Sequence, residues 1–181
     1  RPWSTTGTYS ELFFLDEATA LAAGHRPCAE CQRARFLAFK AVWEAAHGGG
    51  AGLRAADIDT QLHVERAAAR HGTKPMFRAP LADLPTGCLF AVSSSNDADI
   101  AMLGGTWRES GSAKALAEPG DSVFLRAPRG DLPWTAAGYG PPAWPREAGT
   151  WVTVLTPPSV VAVLHHGYAP QLHPSAGDMA E

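Results

Sequence analysis

The chain has 181 residues, 45% of them hydrophobic, and this length predicts one domain whose core does not depend on disulfides. Its net charge of −3 divides into +2 over residues 1–78 and −5 over residues 79–181, which excludes a polybasic protein that binds nucleic acid mainly by releasing many counterions. No apolar run approaches the length of about 18 residues that a transmembrane helix needs. We therefore expect a soluble, cytoplasmic protein that is not inserted in a membrane.

The N-terminal part of the chain carries helical patterns. A short strand or extended entry at residues 11–15 precedes Asp16, which is a candidate N-cap, and Gly24 is a candidate helix stop. Hydrophobic periodicity then predicts three helices, at residues 17–23, 28–47 and 55–70. Residues 1–75 are thus predicted to be a helical region that also carries the metal site discussed below.

The remainder of the chain is divided into short pieces by prolines. β-branched and aromatic residues predict strands at residues 88–92, 100–107, 121–125 and 151–155. A last helix is expected at residues 157–166, ended by Gly167. Helices followed by strands and a closing helix predict an α+β fold. In this fold the helical region packs on a small, mostly antiparallel β-sheet formed by residues 76–181, and the two regions make one compact domain.

Two of the three cysteines form a C-x2-C motif. Cys28 and Cys31 follow Pro27 at the junction between a loop and the predicted second helix. Two thiolates at this spacing can bind one tetrahedral zinc ion, and a helix N-terminus favours the thiolate form. A thioredoxin-like redox pair is the alternative, but a buried strand typically precedes such a pair, whereas here a predicted helix and a glycine precede it. A chance pairing without chemistry is the third interpretation.

Residues 18–31, which read Ala-Thr-Ala-Leu-Ala-Ala-Gly-His-Arg-Pro-Cys-Ala-Glu-Cys, resemble part of the zinc-binding domain of bacterial Ada DNA-repair proteins. The resemblance implies that Cys28 and Cys31 are zinc ligands and that Arg26 and Pro27 shape the turn before them. His25 stands where that family usually has Tyr or Phe. The first cysteine pair of the family, which includes the methyl-accepting thiolate, has no counterpart in residues 1–24. Methyl transfer from DNA phosphotriesters is therefore not expected.

A zinc ion needs further ligands or a water molecule beside the two cysteines. His63, on the predicted third helix, is the first candidate, and His25 is the candidate nearest in sequence. His71 follows His63 by about two helical turns and falls on roughly the same side. Cys88 begins a predicted strand and is expected to be a buried apolar residue instead.

His63 is also part of a second pattern, His63-Val64-Glu65. Zinc nucleobase deaminases combine an H-x-E motif with P-C-x-x-C, and Pro27-Cys28-Ala29-Glu30-Cys31 supplies the second motif, in reversed order along the chain. In this alternative the protein is a zinc-dependent hydrolase, and Glu65 is the general acid/base that activates a zinc-bound water. In a second alternative, the metal only stabilises the fold, as a structural clip, and the function lies in the β-rich region.

Arginines beside the cysteines suggest a partner. Arg26, Arg33 and Arg35 lie on or next to one predicted helix and, with Lys40, face only Glu30 as an acidic residue. A solvated helix face is the alternative explanation of this pattern, and the one that such charge patterns usually have. Our leading prediction is a zinc-stabilised module that contacts DNA or RNA through these three arginines. The aromatic residues Trp134, Tyr139 and Trp144 are expected either to stack on bases or to cover an end of the β core.

Overall fold

The computed structural model describes residues 12–48, 52–66, 76–92, 122–142 and 149–177. These ranges contain four α-helices and six β-strands, which confirms the predicted α+β fold. The helices are α1 (Glu17–Ala22), α2 (Arg33–His47), α3 (Ala55–Arg66) and α4 (Pro158–His165). The strands are β1 (Phe77–Pro80), β2 (Leu89–Val92), β3 (Ser122–Ala127), β4 (Gly130–Thr135), β5 (Gly138–Tyr139) and β6 (Trp151–Val154).

The strands form one antiparallel sheet in the order β1-β6-β2-β3-β4-β5. In the centre of the sheet, Phe90 of β2 lies opposite Phe124 of β3 and Val154 of β6. Because side chains alternate between the two faces of a strand, Phe90 lies in one hydrophobic cluster, and its neighbours Leu89 and Ala91 lie in another. Both faces of the sheet are therefore covered.

Helices α2, α3 and α4 cover the first face. Buried side chains from these helices, including Phe39, Ile58 and Val160, belong to the same cluster as Phe90 and Phe124. The second face is covered by small residues of α1 and by the C-terminal segment. The residues of this second cluster include Ala18, Ala22, Leu125, Leu132 and Ala176. Helices from residues 17–66 and strands from residues 77–154 thus pack together in both clusters, while the predicted boundary at residue 75 stays a prediction.

The residues that flank α1 predicted its position correctly. Asp16 caps this helix through a capping box, in which its side chain accepts from the Thr19 amide and Thr19 Oγ1 accepts from the Asp16 amide. The predicted start of the second helix was wrong, since α2 begins at Arg33 and not at Cys28. Phe36 is the first buried residue of α2, whereas Ala29 is only partly buried against the core and residues 30–32 are exposed. This stretch thus has little apolar surface to bury as a helical turn, and residues 29–32 form turns instead.

Three predicted strands are confirmed as β2, β3 and β6, and the closing helix is confirmed as α4. Strands β1, β4 and β5 were not predicted. Of the strand or extended entry predicted at residues 11–15, the described residues 12–15 form no strand. The predicted strand at residues 100–107 and the last four residues of the predicted third helix lie outside the described residues. Among the described residues, none of the helices has the length and apolar character needed to cross a membrane.

Candidate metal centre

The two paired cysteines lie in the cysteine loop, which we define as residues 24–32, between α1 and α2. The amide of Cys31 donates a hydrogen bond to Cys28 Sγ over 3.4 Å, and the amide of Gln32 donates to the Cys28 carbonyl over 3.1 Å. Cys28 is partly buried and Cys31 is exposed. The turn therefore presents both sulfur atoms together at the protein surface.

The two thiols differ in acidity. The hydrogen bond from the Cys31 side chain, followed by the one from the Cys31 amide, lowers the pKa of Cys28. The same side-chain hydrogen bond raises the pKa of Cys31. Because a thiolate and not a thiol binds metal, Cys28 is the sulfur better prepared for a metal ion. This preference arises within the turn itself, since α2 begins after both cysteines.

Contacts on both sides fix the position of the cysteine loop. Gly24 has a φ of +76°, a backbone conformation that favours glycine. A Cβ at this position would also lie only 3.0 Å from the Cβ and Cδ atoms of Arg66 on α3, so a larger residue would crowd that side chain. Arg26 forms an ion pair of 2.7 Å with Asp59 of α3, and its guanidinium lies 5.0 Å from the centre of the Phe36 ring of α2. It also donates to the Pro27 carbonyl over 2.9 Å. The loop is thus packed against both helices.

His25 already has a partner. The Arg66 guanidinium lies 3.0 Å from His25 Nε2, and the imidazole contacts the Phe14 ring, with 5.2 Å between ring centres. Burial lowers the pKa of His25, and the charge of Arg66 lowers it further. The imidazole is therefore held neutral, which is the form that binds metal, but ligation through Nε2 would require the contact with Arg66 to open.

His63 is exposed on α3. Among the residues that the structure describes, no group of three or more His, Cys, Asp or Glu side chains is arranged to hold a metal ion. Of the predicted ligands, the described part of the chain thus brings Cys28 and Cys31 together in one turn. The predictions that His63 and His25 complete the site stay predictions, and His71 lies outside the described residues.

Glu65 lies at the contact between α3 and α4. Its Oε2 accepts from the Ser159 hydroxyl over 2.7 Å and from the Ser159 amide over 3.2 Å, and its Oε1 accepts from the Gln61 amide group over 2.7 Å. Ser159 is in the first turn of α4, so the carboxylate satisfies one of the free amides at this helix end and suits the positive end of the helix dipole. The predicted role of Glu65 as general acid/base stays a prediction.

The three predicted nucleic-acid-binding arginines have different environments. Arg26 is held by Asp59, as described above. The Arg35 guanidinium pairs with the Glu17 carboxylate and donates to Tyr168 Oη over 2.8 Å. Arg33 is exposed and forms no ion pair with any residue in the described ranges. Two of the three guanidinium groups therefore take part in internal contacts.

Sequence reasoning missed a set of partly buried polar contacts that joins the start of α1 to β5 and to the C-terminal segment. Glu17 accepts hydrogen bonds from Tyr168 Oη and, over 2.7 Å, from the Gln171 amide. Asp16 accepts from Tyr139 Oη over 2.8 Å and from the His173 amide over 3.1 Å. These partners lie more than 100 residues apart in the chain, so no local pattern could have revealed them.

The other candidates are placed as follows. Cys88 is fully buried, as expected for an apolar residue, and burial raises the pKa of its thiol to about 12. Tyr139 is buried, and Trp134 packs against the second cluster, so both cover the β core. Trp144 lies outside the described residues.

No protein family, curated protein or solved structure matches this chain. The resemblance of residues 18–31 to the Ada zinc-binding domain stays a local prediction.

Proposed function

We propose that this protein binds a zinc ion through Cys28 and Cys31. The observation that carries the proposal is the position of both cysteines in one surface turn, in which the Cys31 amide donates a hydrogen bond to Cys28 Sγ. An amide that donates to a cysteine sulfur stabilises the thiolate, which is the form that zinc requires. The turn also follows a helix and Gly24 and not a buried strand, which favours a metal site over a thioredoxin-like pair.

The packing of the cysteine loop against α2 and α3 supports the same proposal. Arg26 ties the loop to α3 through Asp59 and to α2 through the Phe36 ring. A site that is held in place before the metal arrives loses little conformational entropy when it binds. A tetrahedral ion still needs two ligands besides the cysteines. We propose His63 and His25 as the first candidates for these positions, the latter after release from Arg66.

Zinc binding is better supported than the other predicted activities. The prediction of DNA or RNA binding now depends mainly on Arg33, because Arg26 and Arg35 are held by Asp59 and Glu17. The hydrolase alternative requires Glu65 to leave the end of α4. We also propose a cytoplasmic location, because the three cysteines are free thiols and a reducing compartment keeps thiols in this state.

Elemental analysis of the purified protein tests the proposal. We expect about one zinc ion per chain for the unchanged protein, as for a single tetrahedral site. Zinc should be lost in Cys28→Ser and in Cys31→Ser, whereas Cys88→Ala, which removes the buried cysteine, should retain it. His63→Ala and His25→Ala then identify the remaining ligands. Equal zinc content in Cys28→Ser, Cys31→Ser and the unchanged protein would contradict the proposal.

A further inference from the structure

We propose that Cys28 and Cys31 are also a redox-modification site, at which an oxidant of the peroxide class closes the two thiols into a reversible disulfide. The release of zinc on oxidation, which is part of this inference, rests on the proposed function. Disulfide formation itself does not require the metal.

Accessibility is the first argument. Cys31 is exposed and Cys28 is only partly buried, so a small oxidant in solvent can reach this pair directly. Residues 30–34 on the C-terminal side of the loop are all exposed, and no described side chain covers this stretch of the turn. Both thiols are free. The susceptibility of a cysteine to oxidation increases with its exposure to solvent and with its thiolate character. This turn provides the exposure.

The second argument is proximity. The Cys31 amide lies 3.4 Å from Cys28 Sγ, and the bond from the Gln32 amide to the Cys28 carbonyl closes the backbone around the pair. Residues that span one tight turn have Cα atoms within about 7 Å of each other, which overlaps the separation found across disulfides. The bond can thus form within the turn, while Arg26 and α2 keep their places.

The third argument is selectivity. Cys88 is fully buried between the sheet and the helices, and burial raises the pKa of its thiol to about 12. At neutral pH such a thiol is almost never ionised and has no contact with solvent. Oxidation at moderate oxidant concentration should therefore be confined to Cys28 and Cys31, and Cys88 provides an internal reference in the same molecule.

The chemistry balances with hydrogen peroxide as the oxidant. One thiolate attacks the O–O bond, so that its sulfur takes a hydroxyl group and becomes a sulfenic acid while hydroxide leaves. The second thiolate attacks this sulfur, the S–S bond forms, and the hydroxyl leaves as a second hydroxide. The two hydroxides take up the two protons of the thiols. In total, two thiols and one peroxide give one disulfide and two water molecules, and the thiols lose two electrons to the peroxide.

This reaction would couple to the metal because both processes use the same sulfur atoms. Zinc needs thiolate ligands, and the sulfurs of a disulfide carry no negative charge to bind it. Oxidation should consequently release zinc, and reduction by a dithiol should restore the site. Zinc that is already bound should in turn slow the oxidation, since the metal holds the electron pairs that attack the peroxide.

The experiment treats the full chain with hydrogen peroxide, once after removal of metal with a chelator and once after loading with zinc. Intact mass and peptide mapping identify the disulfide, and a chromogenic chelator follows zinc release. We expect the metal-free protein to lose two hydrogen atoms, to form the Cys28–Cys31 bond and to regain its original mass with a dithiol. The zinc-loaded protein should react more slowly and release its zinc in step with disulfide formation.

Three variants serve as controls. Cys28→Ser and Cys31→Ser should form no intrachain disulfide, and a sulfenic-acid probe should label the cysteine that remains. Cys88→Ala should behave like the unchanged protein. In the native state, alkylation of Cys88 should be far slower than that of the pair, since Cys88 is fully buried and burial raises the pKa of its thiol. The difference should disappear in denaturant.

The outcomes separate the two proposals. If the metal-free protein is oxidised only to sulfinic or sulfonic acids, or forms a bond that includes Cys88, the redox inference is overturned. If zinc stays bound after the Cys28–Cys31 bond has formed, the coupling to the metal is overturned. If the disulfide forms as expected but the reduced protein takes up no zinc, the proposed function fails and the redox site stands.

Discussion

Replacing Arg35 with Met should destabilise the protein by about 2–4 kcal/mol, because the Arg35 guanidinium joins three parts of the chain. It pairs with Glu17 of α1 from its place on α2. It also donates to Tyr168 Oη over 2.8 Å and to the Ala169 carbonyl over 2.7 Å, and it lies 4.8 Å from the centre of the Tyr168 ring. Met retains the apolar stem and the helix propensity of Arg, so the substitution removes mainly the charge and its hydrogen bonds.

The magnitude follows from the burial of the two charges. The side chain of Glu17 is only 9% exposed, so loss of Arg35 leaves a carboxylate that is largely cut off from water, with Tyr168 and Gln171 as its remaining partners. Removing one member of a buried ion pair costs about 3–5 kcal/mol. The side chain of Arg35 is itself 28% exposed, and the hydrogen bonds that remain to Glu17 reduce the loss, so we expect about 1 kcal/mol less than this range, which is about 2–4 kcal/mol.

Urea unfolding followed by circular dichroism and tryptophan fluorescence measures the effect. Arg33→Met is the matched control, because it makes the same chemical change on the same helix at an exposed residue, and it should alter the free energy of unfolding by less than about 0.5 kcal/mol. The double variant Arg35→Met/Glu17→Gln should lose less than the sum of the two single variants, since the two side chains interact directly. If Arg35→Met and Arg33→Met unfold at the same urea concentration, the structural role of Arg35 is refuted.

Two further predictions concern Glu65 and Tyr168. Glu65→Ala should lower the free energy of unfolding by about 1 kcal/mol, as expected for loss of a helix cap. Gln61→Ala, which changes the exposed partner of Glu65, should alter this free energy by less than about 0.5 kcal/mol. Urea unfolding measures both variants, and equal effects would contradict the capping role of Glu65. Burial and the hydrogen bond to a carboxylate raise the pKa of Tyr168. An unfolded tyrosine ionises near pH 10, so above about pH 10 the unfolded state loses a proton that the folded state keeps, and stability falls as the pH rises. The Tyr168→Phe variant should therefore be less stable than the unchanged protein at neutral pH, but it should lose less stability above pH 10. If both proteins lose stability in parallel above pH 10, ionisation of Tyr168 is not the cause.

Features that depend on neighbouring residues were predictable. Asp16 and Gly24 mark the ends of α1 because a side-chain cap and a positive φ are requirements of a few adjacent residues. Strands β2, β3 and β6 were predicted because runs of β-branched and aromatic residues suit a buried strand. The C-x2-C pair was likewise recognised from spacing, and one turn of backbone is enough to bring its two sulfur atoms together.

Features that depend on distant residues were not predictable. The hairpin of β4 and β5 contains Pro133, Gly138 and Gly140, which read as a loop, and only pairing with β3 makes the segment part of the sheet. The start of α2 was placed too early because the cysteine turn resembles a first helical turn in sequence. Glu65 matched a catalytic pattern by spacing alone, while the partner of its carboxylate comes from a helix 94 residues away along the chain.

The contacts of the three arginines beside the cysteines show most clearly which properties could not be predicted from the sequence. Arg26, Arg33 and Arg35 form one basic group in the sequence, and local patterns were enough to predict the C-x2-C pair beside them, the α+β class and strands β2, β3 and β6. Tertiary packing settles which carboxylate each arginine meets: Arg26 meets Asp59, Arg35 meets Glu17, and Arg33 is exposed. The physical reason is that a guanidinium group is available to a partner only if no carboxylate of the same chain has been brought to it. That depends on how α1, α2, α3 and the C-terminal segment pack around the shared core.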